Sequence, residues 1–246
     1  MNDAITEKTT KTASNKIYGD FHLHTHYSFD TRTSLEQVIQ RANKTGINCV
    51  AVTDHDTIEG ALELRHIAPF KVIIGEEISS TGGHIIGLFL KKAIPPHLSV
   101  YETITRIHEQ GGIAVAAHPF ARIAGASLGQ EFIDNIEHFD LVEVANSNNL
   151  LRSDDRKALF YAEKHGLGKI SGSDSHLPCG IGSNIVEMDD FDGPREFIES
   201  LRTARLHNKL HPPQYFLDMA LWTVQDLAAD LLGFKSPMRG IREAVA

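Results

Sequence analysis

Cysteine is scarce in this chain: Cys49 and Cys179 are the only two among 246 residues, and no CxxC pair occurs. That scarcity excludes a disulfide framework and a thiolate zinc site. Cys49 lies inside an apolar run, where a small buried residue is expected. A basic excess is also missing, since 24 Lys and Arg stand against 32 Asp and Glu, a formal charge of −8. A general nucleic-acid-binding surface is basic, so this balance argues against one and leaves a small nucleotide substrate open. No apolar stretch reaches membrane-spanning length, so no membrane partner is expected. Residues 1–16 are rich in Thr, Lys and Asn and lack the apolar segment of a signal peptide. They are expected to form a flexible tail, with the cytoplasm as the default location.

What remains is an ordinary globular composition, 41% hydrophobic and 23% charged, at a length that suits one α/β barrel. Strand-like runs at 17–24, 48–54, 70–77, 84–90, 113–117, 140–145 and 168–172 alternate with helical patterns at 34–44, 57–66, 99–110 and 153–165. Ser34-Leu-Glu-Gln37 carries a capping signal and Gly46 a stop. Gly82-Gly83 turns the chain between two strands without a helix. The alternation predicts a parallel sheet with helices outside. Residues 17–206 then form the barrel domain and 207–246 a helical extension. In that extension Leu217, Leu221, Val224, Ala228 and Leu231 recur at helical spacing. Such a stripe packs back on the barrel or forms an arm that covers the pocket rim or a partner subunit, the last a route to a homo-oligomer.

Ligand-grade residues gather at strand ends. His22 and His24 are two apart, as are Asp174 and His176, so each pair can share one face of a strand. His55, Glu77 and His118 each follow an apolar run. In a closed barrel the C-terminal strand ends meet at one mouth, where active sites sit. Residues spread over the chain could therefore surround one cavity and hold more than one ion.

Six segments in order carry a resemblance: Asp20-Phe-His-Leu-His-Thr-His-Tyr-Ser-Phe-Asp30, Thr53-Asp-His-Asp56, Gly75-Glu-Glu-Ile-Ser79, His84, Ala117-His-Pro119 and Gly172-Ser-Asp-Ser-His176. Across roughly 17–185 the chain resembles the PHP (polymerase and histidinol phosphatase) family of metal-dependent phosphoesterases. The resemblance implies a distorted (β/α)7 TIM-like barrel with two or three divalent ions at its mouth. It implies His22, His24, Glu77 and Asp174 around the first ion. Glu77, His84 and His118 would hold the second, and Asp30, His55 and His176 the third. Glu77 rather than Glu76 occupies the family's Gly-x-Glu slot, and adjacent strand residues face opposite ways.

Imidazole and carboxylate without thiolate suit manganese, iron or zinc. The implied reaction is hydrolysis of a small phosphate ester by a metal-bridging hydroxide, with no protein nucleophile. Asp174 is a candidate proton acceptor, and Arg122 a candidate cation for substrate phosphate. Asp54 and Asp56 either orient His55 or cap the following helix. Asn146, just after its strand, is a candidate contact of the same kind as Arg122, Glu143 within that strand is expected to be structural, and His26 lies in phase with the paired histidines. His66, His97, His108, His138, His165, His207 and His211 are expected at the surface. Histidinol-phosphate phosphatase, nucleotide or oligonucleotide phosphoesterase, and a non-catalytic metal-binding scaffold remain alternatives. The filled motif positions favour an enzyme. Relatives that cleave nucleoside bisphosphates carry a helical subdomain between the positions of His84 and His118, where only residues 85–117 lie here.

Overall fold

The computed structural model describes residues 16–122 and 126–231; the expected flexible tail at 1–16 falls almost wholly outside these residues. The elements run β1 (Lys16–Leu23), α1 (Leu35–Thr45), β2 (Cys49–Val52), α2 (Glu59–Ile67), β3 (Lys71–Ser80), β4 (Gly83–Leu88), α3 (Val100–Glu109) and β5 (Ile113–Ala116). They continue with α4 (Gln130–Asp134), β6 (Leu141–Asn146), α5 (Arg152–His165), β7 (Gly168–Gly172), β8 (Asn184–Asp189), α6 (Pro194–Leu201), β9 (Arg205–Asn208) and α7 (Pro213–Leu231). The expected caps are present. Ser34 and Gln37 exchange side-chain and backbone hydrogen bonds at the start of α1, and Gly46 ends it at φ 78°.

The strands form one nine-stranded sheet, ordered β7-β6-β5-β4-β3-β2-β1-β8-β9. It bends into a nearly closed barrel. At the mouth, the Asp174 N–H donates to His22 O (2.7 Å) and the His24 N–H to Ser175 O (3.1 Å), sewing the exit of β7 to the end of β1. Gly172 makes this approach possible, because a Cβ there would lie 2.2 Å from His22 Cβ. The sheet is mixed, which corrects the all-parallel expectation. β4 runs antiparallel to both β3 and β5, and β8 antiparallel to β1 and β9. The turn at Thr81-Gly82 is too short for the crossover that a parallel neighbour requires. Strand β9 also carries the sheet to Asn208, past the boundary expected at 206.

Alternation along the strands sorts the core. Cys49 and Ala51 point into the barrel with Ile73, Ile86, Leu88, Val115 and Ile170, whereas Val50 and Val52 pack outward against helix residues such as Val38, Ala61 and Leu64. Phe21 and Phe197 close the inner core edge to face at 5.1 Å. Burying each such ring contributes roughly 1.5–3 kcal/mol. Cys49 is fully buried, and burial pushes its thiol up to about 12.

Helix α7 returns to the barrel, but not through the apolar stripe that the sequence offered. Tyr215 and Trp222 are buried, while Leu217, Leu221 and Val224 are 60–64% exposed. Among the described residues no helix is long and apolar enough to cross a membrane.

Candidate metal centre

Two β-bulges and two left-handed residues aim the polar side chains into the mouth. On β1, Gly19 and Phe21 follow the inward phase, which on a regular strand would turn His22 outward. The pairing steps from Asp20↔Val50 to Leu23↔Val52, so β1 spends one residue more than β2. That bulge resets the phase: Leu23 joins the outer core and His22 and His24 enter the lumen. A second bulge, between Glu143 and Ala145 on β6, brings both Glu143 and Asn146 to the same site. Glu77 needs no such device, since it continues the inward phase of Ile73 and Gly75. His84 shares the inward face with Ile86 and Leu88, and it begins its strand at the mouth because β4 is antiparallel. His118 (φ 27°) and Asp174 (φ 52°) adopt backbone that non-glycine residues rarely take, as strained residues at functional sites do.

Glu77 lies at the centre. Its Oε2 is 3.2 Å from His22 Nε2 and 3.3 Å from His24 Nε2; its Oε1 is 2.9 Å from His118 Nε2 and 3.0 Å from His84 Nδ1. Asp174 Oδ1 lies 3.2 Å from His24 Nε2 and 3.4 Å from His22 Nε2. Asp30 Oδ2 lies 2.9 Å from His176 Nε2 and 3.2 Å from His55 Nε2. Three groups of donor atoms follow, each within 4.8 Å: His22, His24, Glu77 and Asp174; His55, Glu77 and His84; and His24, Asp30, His55 and His176. The first group has the membership that the resemblance implies. The others overlap more than expected, because His24 and His55 each serve two groups, as Glu77 does. His118 reaches the cluster through Glu77.

The donor set fits divalent cations. It is nitrogen and oxygen without sulfur, and it gathers three carboxylates in a largely buried space. Burial alone would strip charge from these groups. Without metal, burial opposes the proton on His24, yet hydrogen bonds to Asp174 and Glu77 override it and hold its pKa at about 10. His22 also stands well above its usual range, against burial, because Asp174, Glu143 and Glu77 surround it. Cations would replace those protons, as metal binding at imidazoles requires. His55 Nδ1 and His84 Nδ1 are buried without an aligned hydrogen bond, although each faces Glu77. Close approach without hydrogen-bond alignment is what ligands converging on a shared ion show.

Surrounding groups orient the donor side chains. Glu143 Oε1 faces His22 Nδ1 at 3.0 Å, and its Oε2 accepts the His118 backbone N–H (2.8 Å) and Asn146 Nδ2 (3.0 Å). Asn146 also donates to Asp174 Oδ2 at 3.0 Å, and Asn148 to Asp174 O at 2.7 Å. Asp20 accepts the Ser173 and Gly182 N–H groups, each at 2.9 Å, and burial raises it to about 6. Tyr215 Oη, on α7, accepts the His176 N–H at 3.2 Å. Glu143, expected to be structural, faces His22, and Asn146 holds Asp174; Asn148, Asp20 and Tyr215 are common residue types far along the chain from the residues they touch, so no local pattern announces them.

Glu76 faces away from the cluster, as the alternation along β3 predicts, and accepts the Ile94 N–H at 2.9 Å. Other expectations are revised. Asp54 neither orients His55 nor caps α2; it accepts from Thr25, while Asp56 accepts the Ser79 N–H. Arg122 is tied to Asp154 (2.7 and 2.9 Å) and Ser153 (2.7 Å), so its guanidinium is already engaged by a carboxylate away from the ligand groups. His211 is buried rather than at the surface, stacked on Tyr215 with ring centroids 3.7 Å apart, and burial lowers it to about 4. His26 is exposed on a cleft beside His55.

Comparisons with known proteins agree with this geometry. The chain is 42% identical over 141 residues to an uncharacterised protein of Methanocaldococcus jannaschii, covering 52% of this chain and 81% of that one. The fold is similar to a two-domain Bacteroides vulgatus protein described as containing a predicted PHP-like metal-dependent phosphoesterase (TM-score 0.60, 19% identity, 80% of this chain and 66% of that chain). It is also similar to endonuclease Q in complex with a 27-mer duplex bearing an abasic lesion (TM-score 0.57, 18% identity, 78% of this chain). The chain spans 58% of that endonuclease. This likeness overturns the exclusion of a nucleic-acid-binding surface drawn from net charge. The fold accommodates a duplex substrate in endonuclease Q, and bulk charge does not report the local field at one face of a protein. The PHP domain model matches residues 20–201, and the chain belongs to the PHP domain family.

Proposed function

We propose that this chain is a metal-dependent phosphoric ester hydrolase whose divalent cations are held by His22, His24, Asp30, His55, Glu77, His84, His118, Asp174 and His176. The observation that carries the reading is the sharing of Glu77, His24 and His55 between neighbouring donor groups, which suits two or three ions close together. When bound, such ions supply an activated water as nucleophile and the positive charge that receives phosphoryl oxygens. The chain's own residues prepare that chemistry. Glu143 fixes the ring of His22, so that Nε2 presents its lone pair to the first group. Asn146 holds Asp174 Oδ2 and leaves Oδ1 beside His22 and His24. Both Asp174 oxygens are thereby engaged, which favours a ligand role and makes proton acceptance secondary. The interval 85–117 contains the rest of β4, a loop, α3 and β5, with no inserted subdomain, so the mouth stays open to esters of varied size.

Replacing His22 or Asp174 by Ala is expected to remove bound metal and phosphate release together, read by elemental analysis and a phosphate assay. Full turnover by either variant after metal depletion would contradict the proposal.

A further inference from the structure

One side of the mouth carries a surface that hydrolysis of a bare phosphate group does not use. Ser28 and Asp30 are pinned: Ser28 Oγ donates to Asp30 Oδ1 (2.8 Å) and accepts the His55 N–H (3.2 Å). Phe29, between them, is held out at 42% exposure. Its ring is nonetheless fixed, stacked on the His55 imidazole with centroids 4.9 Å apart and planes at 14°. This ring lines an open cleft of about 590 Å³, with His26, Tyr27, Thr31, Arg32, His55 and Thr57. The volume lies within the range of small-molecule sites, roughly 300–1,000 Å³. The cleft adjoins the donor group formed by His24, Asp30, His55 and His176.

We infer that this cleft receives the base of a nucleotide, stacked on Phe29, while its phosphate lies at the adjoining donor group. The inference rests on the phosphoesterase reading and narrows its substrate class. A phenyl ring held flat against an imidazole is already ordered, so stacking costs it little further entropy. Every nucleobase has a π-face, which makes such a platform tolerant of sequence. The sugar of a 5′-nucleotide separates base from phosphate, as the cleft stands beside the donor atoms. Thr57 and His26 supply polar groups at the rim for the sugar and the base edges.

The test compares AMP with ribose 5-phosphate, which keeps the ester and lacks the base. In Phe29→Ala the ratio of kcat/KM for AMP to that for ribose 5-phosphate is expected to fall roughly 5- to 150-fold, the loss that one base–aromatic stack implies. Phe29→Trp should restore the ratio. Adenosine binding to the same proteins, measured by calorimetry, should weaken in parallel in Phe29→Ala, independently of hydrolysis. A 5′-phosphorylated dinucleotide, assayed beside AMP, distinguishes a strand terminus from a free nucleotide, and either source places a base on Phe29. An unchanged ratio, including equal loss on both esters, overturns the inference by giving Phe29 only the task of supporting His55. Wild-type protein that binds adenosine through Phe29 but releases phosphate from no ester would instead sink the phosphoesterase reading and leave the stack standing.

Discussion

Glu143 offers a sharp perturbation because its two oxygens face three donors. Oε2 accepts two N–H groups, from the His118 backbone and from Asn146, while Oε1 faces His22 Nδ1. Glu143→Gln keeps the shape and removes one acceptor. If the new amide oxygen serves the two donors on the Oε2 side, its NH2 must confront His22 Nδ1. That nitrogen then has to accept, the ring proton moves to Nε2, and the atom facing Glu77 and Asp174 can no longer ligate. If the amide turns the other way, its NH2 meets the His118 N–H and Asn146, leaving buried donors unpaired at about 1–3 kcal/mol. Loss of such an orienting partner lowers metal affinity by roughly 10- to 100-fold. Competition titration with a chromogenic chelator, alongside elemental analysis, should show that drop in Glu143→Gln with the fold intact by circular dichroism. Wild-type affinity and stoichiometry in a folded Glu143→Gln would refute the claim that Glu143 sets the His22 tautomer.

Two further changes probe the framework. Gly172→Ala places a methyl 2.2 Å from His22 Cβ at the barrel seam, an overpacking cost of about 1–3 kcal/mol or more; differential scanning calorimetry should record a Tm lower by several degrees, and an unchanged Tm would remove the seam argument. Glu76, raised to about 8 chiefly by burial and further by Asp56, against the Ile94 N–H, keeps a proton in the folded state that the unfolded chain releases near pH 4.5. Its contribution is therefore complete at low pH and declines as pH rises towards 8. Urea unfolding of metal-depleted Glu76→Gln should show a shallower loss of stability across that window, and a pH profile matching wild type would count against it.

Most positions of the donor cluster were legible because metal chemistry demands particular side chains. Histidines in phase at His22 and His24, and an Asp with a His at Asp174 and His176, are few enough to stand out from a chain of common residues. The strand–helix alternation was legible for the same kind of reason, since β2 and β5 are short apolar runs bounded by polar turns. The mixed direction of the sheet was less so. Gly82-Gly83 marked a turn, but a turn does not state whether the strand after it pairs antiparallel on both sides, as β4 does. Bulges leave no local trace, because the extra residue on β1 is defined only by its partner strand β2. Regular alternation from Ile17 and Phe21 would have turned His22 away from the lumen. Arg122 illustrates the opposite failure. Its chain position after His118 suggested a phosphate contact, and only the fold brings Asp154 from α5 to engage it. The helical stripe on α7 likewise obeyed a correct periodicity, yet the buried face was set by Tyr215 and Trp222.

The central claim is that the shared donor cluster holds catalytic divalent ions for phosphate-ester hydrolysis. The most direct measurement is metal content per chain on purified protein, followed by phosphate release from AMP before metal removal, after it, and after reloading. Two or three ions per chain, with release that disappears on chelation and returns on reloading, is the predicted result. Release that persists at full rate in chelated protein with no bound metal would contradict it.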